Sequence, residues 1–224
     1  MSRVVALVAG RDEAHRIHGT VTALRELDEV AEVIVVDDGS RDDTAARALV
    51  AGARVFRLGR ARGKGRALEG ALERLPRADV WLFADGDLGE SAGALARVLE
   101  PVLCGEADVA VAVFPPGDGG GFGLVKRAAA GAIRALGGIE VREPLSGQRA
   151  VSDRALEVAR PLSPGFGVET AMTIDAARAG LRVVEVPASL THRPSYRDLS
   201  GFLHRGRQGW DVVRAVVPRA LGLR

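Results

Sequence analysis

The sequence predicts an α/β fold, a mostly parallel sheet with helices on both faces. Three observations predict it. Short apolar runs alternate with helix-like stretches along most of the chain. The runs are apolar throughout, as strands buried on both faces require. Two of them end abruptly in acids, at Asp37-Asp38 and at Asp85-Gly86-Asp87, and parallel sheets bind ligands beyond the carboxyl ends of their strands.

Val4 to Val8 is the first expected strand, followed by a helix from Asp12 to Leu27 with Ile17, Val21, Leu24 and Leu27 at helical spacing. Val33 to Val36 is the second strand, and Asp42-Asp43-Thr44 offers a cap and an acidic first turn to a helix that reaches Val50 and closes at Gly52. Arg54 to Leu58 is a short third strand. The glycine-rich stretch Gly59 to Gly65 opens a helix from about Arg66 to Leu75, stopped by Pro76. Val80 to Ala84 is the fourth strand, Ser91 to Leu103 a helix, and Asp108 to Phe114 the fifth strand. Pro115 to Gly123 is too long for a minimal connector, and a lid or a tolerated surface insertion both fit it. Val125 to Leu136 reads as a helix, Leu145 to Val151 as a short extended segment, and Asp153 to Ala159 as one or two helical turns. Val168 to Ala179 is a helix closed by Gly180, and Arg182 to Val186 is a strand stopped by Pro187. Leu199 to Val217 is a basic amphipathic helix interrupted by Gly201, Gly206 and Gly209.

No internal repeat or clear linker divides the 224 residues, so one domain spanning 1–224 is expected, and 47% hydrophobic content supports a substantial core. No apolar run approaches the ~20 residues that span a bilayer, and Met1-Ser2-Arg3 leads into a strand without a signal-peptide pattern. A cytoplasmic location is the expectation. Cys104 is the only cysteine and sits in a helix-end setting, Leu103-Cys104-Gly105, so it reads as structural. The net charge of +2 hides an uneven distribution: from His192 to Arg224 seven arginines face only Asp198 and Asp211. That excess suits a phosphate-bearing or membrane-surface partner, or simply a solvated helix face.

Asp85 and Asp87 repel one another unless solvated or shared by a cation, so Mg²⁺ or Mn²⁺ bridging to phosphate oxygens explains the pair. An Asp-Gly turn is the plainer explanation. The second acid cluster on the same expected sheet edge favours the metal, because turns have no reason to gather acids only there. In Asp37-Asp38-Gly39-Ser40 a carboxylate can accept from a base N–H or a ribose hydroxyl, and Gly39 permits close backbone approach. Gly59-Arg60-Ala61-Arg62-Gly63-Lys64-Gly65 has the wrong spacing for a P-loop and no Ser or Thr after Lys64, and it also misses the dinucleotide spacing. An ATPase and a dehydrogenase are thereby excluded.

The set formed by Asp37-Asp38-Gly39-Ser40 and Asp85-Gly86-Asp87 resembles the family 2 glycosyltransferases of the GT-A, Rossmann-like fold. The resemblance runs from about Val4 to Val217 and is strongest over Val33 to Ser40, Gly63 to Gly70, Val80 to Asp87, Ser146 to Ala150 and Gly165 to Gly180. It implies that Asp38 contacts the nucleotide base and that Asp85 and Asp87 hold a metal on the donor diphosphate, Asp87 directly and Asp85 through ribose or water. It also implies that Lys64 lies near the donor. The first strand departs from the family's Pro-Ala-Tyr-Asn-Glu pattern, since in Val8-Ala9-Gly10-Arg11-Asp12-Glu13 only Glu13 matches. Glu13 is then a nucleotide neighbour or an ordinary acid at a helix start.

Ser146-Gly147-Gln148-Arg149-Ala150 resembles the Ser-Gly-Phe-Arg-like segment of polyprenyl-phosphate glycosyltransferases and glucosyl-3-phosphoglycerate synthases, whose acceptors carry phosphate. By this resemblance Arg149 binds that phosphate, or pairs with Glu143 or Glu169 for structure. Glu169 is a base candidate, a partner to another site group, or a helix N-terminal acid. His192 is a third metal ligand, or a lone surface histidine.

The expected function is metal-dependent transfer of a sugar from a nucleotide-sugar donor to a phosphate-bearing acceptor, polyprenyl phosphate or 3-phosphoglycerate-like. Residues 1–114 would form the nucleotide-sugar half and 115–224 the acceptor half. A sugar-1-phosphate nucleotidyltransferase would want a longer glycine- and arginine-containing loop after strand one, and a non-catalytic nucleotide-sugar-binding protein stays open. Nucleic acid is not an expected partner, because arginines without interleaved aromatics bind it only weakly. Peripheral membrane contact and a homodimer stay open.

Overall fold

A computed structural model describes residues 2–114, 123–191 and 199–223, with residues 199–208 placed by their backbone. The elements run β1 Val4–Gly10, α1 Ile17–Arg25, β2 Val30–Asp37, α2 Thr44–Val50, β3 Arg54–Arg57, α3 Lys64–Leu72 and β4 Val80–Asp85. A 3₁₀ segment, Gly89–Leu95, leads into α4 Ala96–Leu103, then come β5 Val109–Val113, α5 Gly123–Gly137, β6 Arg149–Ser152 and α6 Asp153–Ala159. A short 3₁₀ turn, Gly165–Gly167, opens α7 Val168–Arg178, and β7 Val183–Pro187 and α8 Leu199–Ala220 complete the series.

The strands form one seven-stranded sheet in the order β3-β2-β1-β4-β6-β5-β7. All pairings are parallel except those of β6, which runs antiparallel to both β4 and β5. The pleat divides each strand between two cores. Val4, Ala6 and Val8 join Ile17, Val21, Leu24, Val98 and Leu99 on one face. Val5 and Leu7 join Ala67, Leu68, Leu156, Val168 and Met172 on the other. Each fully buried Val or Leu contributes about 1.5–3 kcal/mol, so the two-sided sheet is the main source of stability. Among the described residues no helix is long and apolar enough to cross a membrane.

Two expected boundaries move for reasons visible in the chain. The first helix begins at Ile17 and not at Asp12, because Asp12 takes a positive φ of 58° and its neighbours find other partners. The N–H groups of Asp12, Glu13 and Ala14 donate in turn to Ser40 Oγ (3.0 Å), Thr44 Oγ1 (2.8 Å) and Asp42 Oδ2 (3.1 Å). Three orphan donors are satisfied without helix. The helix expected over Ser91 to Leu103 is a 3₁₀ segment followed by α4. Cys104 caps α4, as its helix-end setting suggested, and it is exposed.

The last helix is tied down by a buried ion pair. Arg219, 1% exposed, donates through Nε to Asp175 Oδ1 (2.7 Å) and through NH2 to Oδ2, and its NH1 reaches Ser163 Oγ (3.0 Å) and the Ala215 carbonyl (2.8 Å). Every donor set of the guanidinium is used, which offsets its desolvation. Asp175→Ala leaves a buried, unpaired arginine and is expected to lower stability by about 3–5 kcal/mol. A urea titration measures this, and pairing the change with Arg219→Met is expected to restore much of the loss.

Candidate active site

The register of the sheet assembles the site. Gly10 pairs with Asp37 on one side of β1 and Ala9 with Asp85 on the other, so both acid clusters reach the same carboxyl edge. β6 contributes to this edge because it is antiparallel. Phe83 pairs with Arg149, so the start of β6, and Gln148 just before it, lies beside the end of β4.

At the centre stands Lys64, the first residue of α3. Its Nζ lies 2.5 Å from Asp85 Oδ1 and 2.8 Å from Glu169 Oε1. Burial works against the ammonium, but the charges of Asp85 and Glu169 outweigh it and hold its pKa above the ordinary value of 10.5. Asp85 is gripped on its other oxygen by Gln148 Nε2 at 2.6 Å. Gln148 is itself 2% exposed, and its Oε1 lies 3.3 Å from Ser146 Oγ. At Gly147 a Cβ would overlap Lys64 Nζ and come 2.7 Å from Asp85 Oδ2, so any side chain there would displace the tips of that pair.

Asp87 is half-buried and lies two residues beyond the end of β4. Its turn is pinned from α1: Thr20 Oγ1 donates to the Gly86 carbonyl (3.0 Å) and accepts the Gly89 N–H (2.8 Å). Arg16 donates to the Asp87 carbonyl at 3.1 Å. Asp85 and Asp87 offer oxygen donors only, which suits a hard cation that keeps most of its coordination for water and phosphate. The ammonium of Lys64 against Asp85 marks the same need for positive charge. Among the described residues no three His, Cys, Asp or Glu side chains converge on a metal position. His192 lies outside the described residues, as do residues 115–122 of the long loop read as a lid or a surface insertion.

The other acid cluster builds the neighbouring loops. Asp37 is fully buried and accepts from Ser40 N–H (2.8 Å) and Ser40 Oγ, while its Oδ2 lies 3.2 Å from Arg57 Nε without a hydrogen-bond partner. Asp38 is 8% exposed, and its two oxygens accept the N–H groups of Arg62 (2.6 Å) and Gly63 (2.8 Å). It therefore holds the loop that delivers Lys64. Gly39, at φ 74°, approaches that same loop closely: a Cβ would come 2.9 Å from the Arg60 carbonyl carbon and the Ala61 nitrogen. Burial works to raise the pKa of Asp42, but the bonds it accepts from Thr44 Oγ1, Ala14 N–H and Thr44 N–H together outweigh that and lower it. Beside this cluster opens a cavity of about 660 Å³ whose lining includes Arg11, Ser40, Arg41, Arg57 and Arg60. Glu13, half-buried, enters the same region through its N–H bond to Thr44.

Arg149 requires a correction. It does not face a ligand: it is 1% exposed, and its guanidinium donates to the Ser146 carbonyl, the Glu169 carbonyl (3.1 Å) and Thr173 Oγ1 (3.3 Å). Helix α7 covers the face of β6 from which Arg149 projects, so the side chain locks β6 to the start of α7. Burial pushes its pKa down to about 10, with Glu169 and Asp85 opposing, so it stays charged at neutral pH. Nor does it pair with the carboxylates expected of it, since Glu143 is held by Lys126 at 2.7 Å and Glu169 by Lys64. Gln148 and Thr20 are the site residues that motif reading passed over.

A family model described as Glycosyl transferase family 2 matches residues 7–153. The chain is 30% identical over 199 residues to glycosyltransferase AglJ of Haloferax volcanii, covering 87% of this chain and 65% of that protein. It is 35% identical over 179 residues to glucosyl-3-phosphoglycerate synthase of Mycobacterium tuberculosis, covering 69% of this chain and 54% of that one. The chain thus spans between about half and two thirds of the length of these relatives. The fold is similar to the M. tuberculosis synthase solved with Mg²⁺ and uridine diphosphate, with TM-score 0.82, 30% identity, and 97% and 79% of the two chains covered. It is also similar to that synthase solved with Mn²⁺, UDP-glucose and phosphoglyceric acid, with TM-score 0.80, 28% identity, and 97% and 79% covered.

Removing the central cation exposes how the cluster is balanced. Lys64→Met leaves Asp85 and Glu169 facing one another and is expected to cost on the order of 3 kcal/mol at neutral pH. The folded protein holds the Lys64 proton more tightly than the unfolded chain, so its contribution is complete below pH 10.5 and is lost as pH rises through the raised value. Urea midpoints of wild type and variant are therefore expected to differ by a constant amount from neutral pH up to that limit and to converge above it.

Proposed function

The chain belongs to glycosyl transferase family 2, and from that premise we propose that it moves a sugar from a nucleotide-sugar donor to a phosphate-bearing acceptor with Mg²⁺ or Mn²⁺. The observation that carries this reading is the Asp85 carboxylate at the sheet edge, held between Lys64 and Gln148 with Asp87 two residues on. Oxygen-only donors beside a fixed ammonium form a place for a diphosphate and its cation. The M. tuberculosis synthase bound to Mn²⁺, UDP-glucose and phosphoglyceric acid supports the same classes of ligand.

In this proposal Asp87 and Asp85 hold the cation, and His192 is the third ligand. When bound, the cation neutralises charge developing on the leaving nucleoside diphosphate. Lys64 then donates to a diphosphate oxygen, its ammonium kept charged and aimed by Glu169. Gln148 keeps the Asp85 carboxylate in one orientation as Lys64 changes partner. Asp38 and Glu13 hold the nucleoside end, Asp38 also keeping the loop before Lys64 in register. A phosphate acceptor is already an anion and needs no proton removed, so Glu169 serves mainly to orient Lys64. With a hydroxyl acceptor it is the group placed to take the proton. Residues 1–114 carry the donor side, and residues 115–224 carry the acceptor side in a cytoplasmic enzyme.

Nucleotide sugars screened by thermal shift with Mn²⁺, followed by acceptor-dependent release of nucleoside diphosphate from the best donor, test the reading. Polyprenyl phosphate and 3-phosphoglycerate are the two acceptors to compare. Asp87→Ala is expected to cut turnover by at least about a hundredfold at any metal concentration while the melting profile is kept, and undiminished turnover would sink the metal assignment. Gln148→Leu is expected to raise the metal concentration for half-maximal rate by about tenfold with little change in maximal rate. Asp38→Ala is expected to weaken donor binding by calorimetry, and unchanged affinity would remove Asp38 from the nucleoside site.

A further inference from the structure

The outer face of α8 is built for a surface other than water. Val212, Ala215 and Arg219 point inward and are buried. On the opposite face Trp210 (62% exposed), Val213 and Val217 follow one another at helical spacing, with Leu221 in the turn just past the helix end, and all four are exposed. Arg214 is exposed among them, and there is no acid between Trp210 and Leu223 except Asp211. Asp211 is turned toward the protein and accepts the Phe166 N–H at 3.1 Å. An apolar stripe with a tryptophan, one arginine and no outward carboxylate is costly in water.

We propose that this face docks the protein on an anionic lipid surface. Tryptophan prefers the boundary between headgroups and acyl chains, the valines and leucine enter the apolar side, and Arg214 reaches back to lipid phosphate. In sequence the segment from His192 to Arg224 holds seven arginines against two aspartates; of those described, Arg219 is spent on Asp175 and Arg214 faces outward, the sign that such a membrane attracts. A second copy of the chain suits the face less well. Symmetric pairing would desolvate Arg214 from both protomers in a contact that supplies no carboxylate to either. Docking through α8 would also hold the candidate site at the membrane, since α8 packs on the Gly165–Gly167 turn that leads to Glu169. This inference does not depend on the transfer reaction, because it concerns a surface that can be tested without substrate.

The full chain is mixed with vesicles of phosphatidylcholine alone or enriched in phosphatidylglycerol, and flotation is read together with tryptophan emission. Of the two tryptophans, Trp81 is 3% exposed, so a change in emission reports Trp210. The expected result is flotation with the anionic vesicles, a blue shift of emission, and weakening by salt. The pair Val213→Glu and Val217→Glu alters exposed positions only and is expected to lower partitioning at least about tenfold with an unchanged melting profile. Arg214→Ala is expected to lower it roughly fivefold. The proposal is overturned if the wild type fails to float, if the double variant floats equally well, or if flotation occurs without an emission change. It is also overturned if light scattering finds a dimer that the same double substitution abolishes while vesicles leave the wild type unbound.

Discussion

The site depends on a single cation held between two acids. Lys64 Nζ joins the start of α3 to the end of β4 through Asp85 and to α7 through Glu169, with each contact within 2.8 Å. Lys64 and Glu169 are largely buried, and either left alone would bear its desolvation unrelieved, while Asp85 keeps part of its surface in water. The neighbouring chemistry follows from that constraint. A side chain at Gly147 would press on the ammonium, and Gln148 next to it reaches the other oxygen of Asp85. Arg149 spends its donors fixing the strand that presents both.

A site made of this kind of balanced charge is prepared for ligands that carry their own. A diphosphate with its cation brings negative oxygens to an ammonium and a positive ion to carboxylates, so partners can be exchanged without leaving a group unpaired. Much of the orientation is supplied before any ligand arrives. Thr20 fixes the turn after β4, and Asp38 fixes the loop before α3.

What the sequence makes legible are features that depend on local pattern. Apolar runs ending in acids locate β2 and β4, and the shared carboxyl edge follows once the sheet is taken as parallel. Features set by distant partners are hidden. The start of α1 is decided by Ser40, Asp42 and Thr44, about thirty residues away, so an acidic helix start at Asp12 was the natural but mistaken reading. Arg149 looks like a phosphate ligand because its motif does not disclose that α7 covers it. Gln148 carried a weak signal, a polar residue after glycine at the mouth of a buried strand. Its partner only becomes visible when the antiparallel direction of β6 is known.

The position of β6 has a consequence for how the protein is made. β4 and β5 are not neighbours, and residues 149–152 must be inserted between them before the sheet is continuous. While the chain emerges from the ribosome, the first half therefore presents an apolar strand, Val80–Asp85, with one unpaired edge. Such edges recruit other chains. A fragment ending near residue 114 would be a source of aggregation in place of a free-standing nucleotide module, and the interval between synthesis of β4 and arrival of β6 is the stage at which a chaperone would matter most.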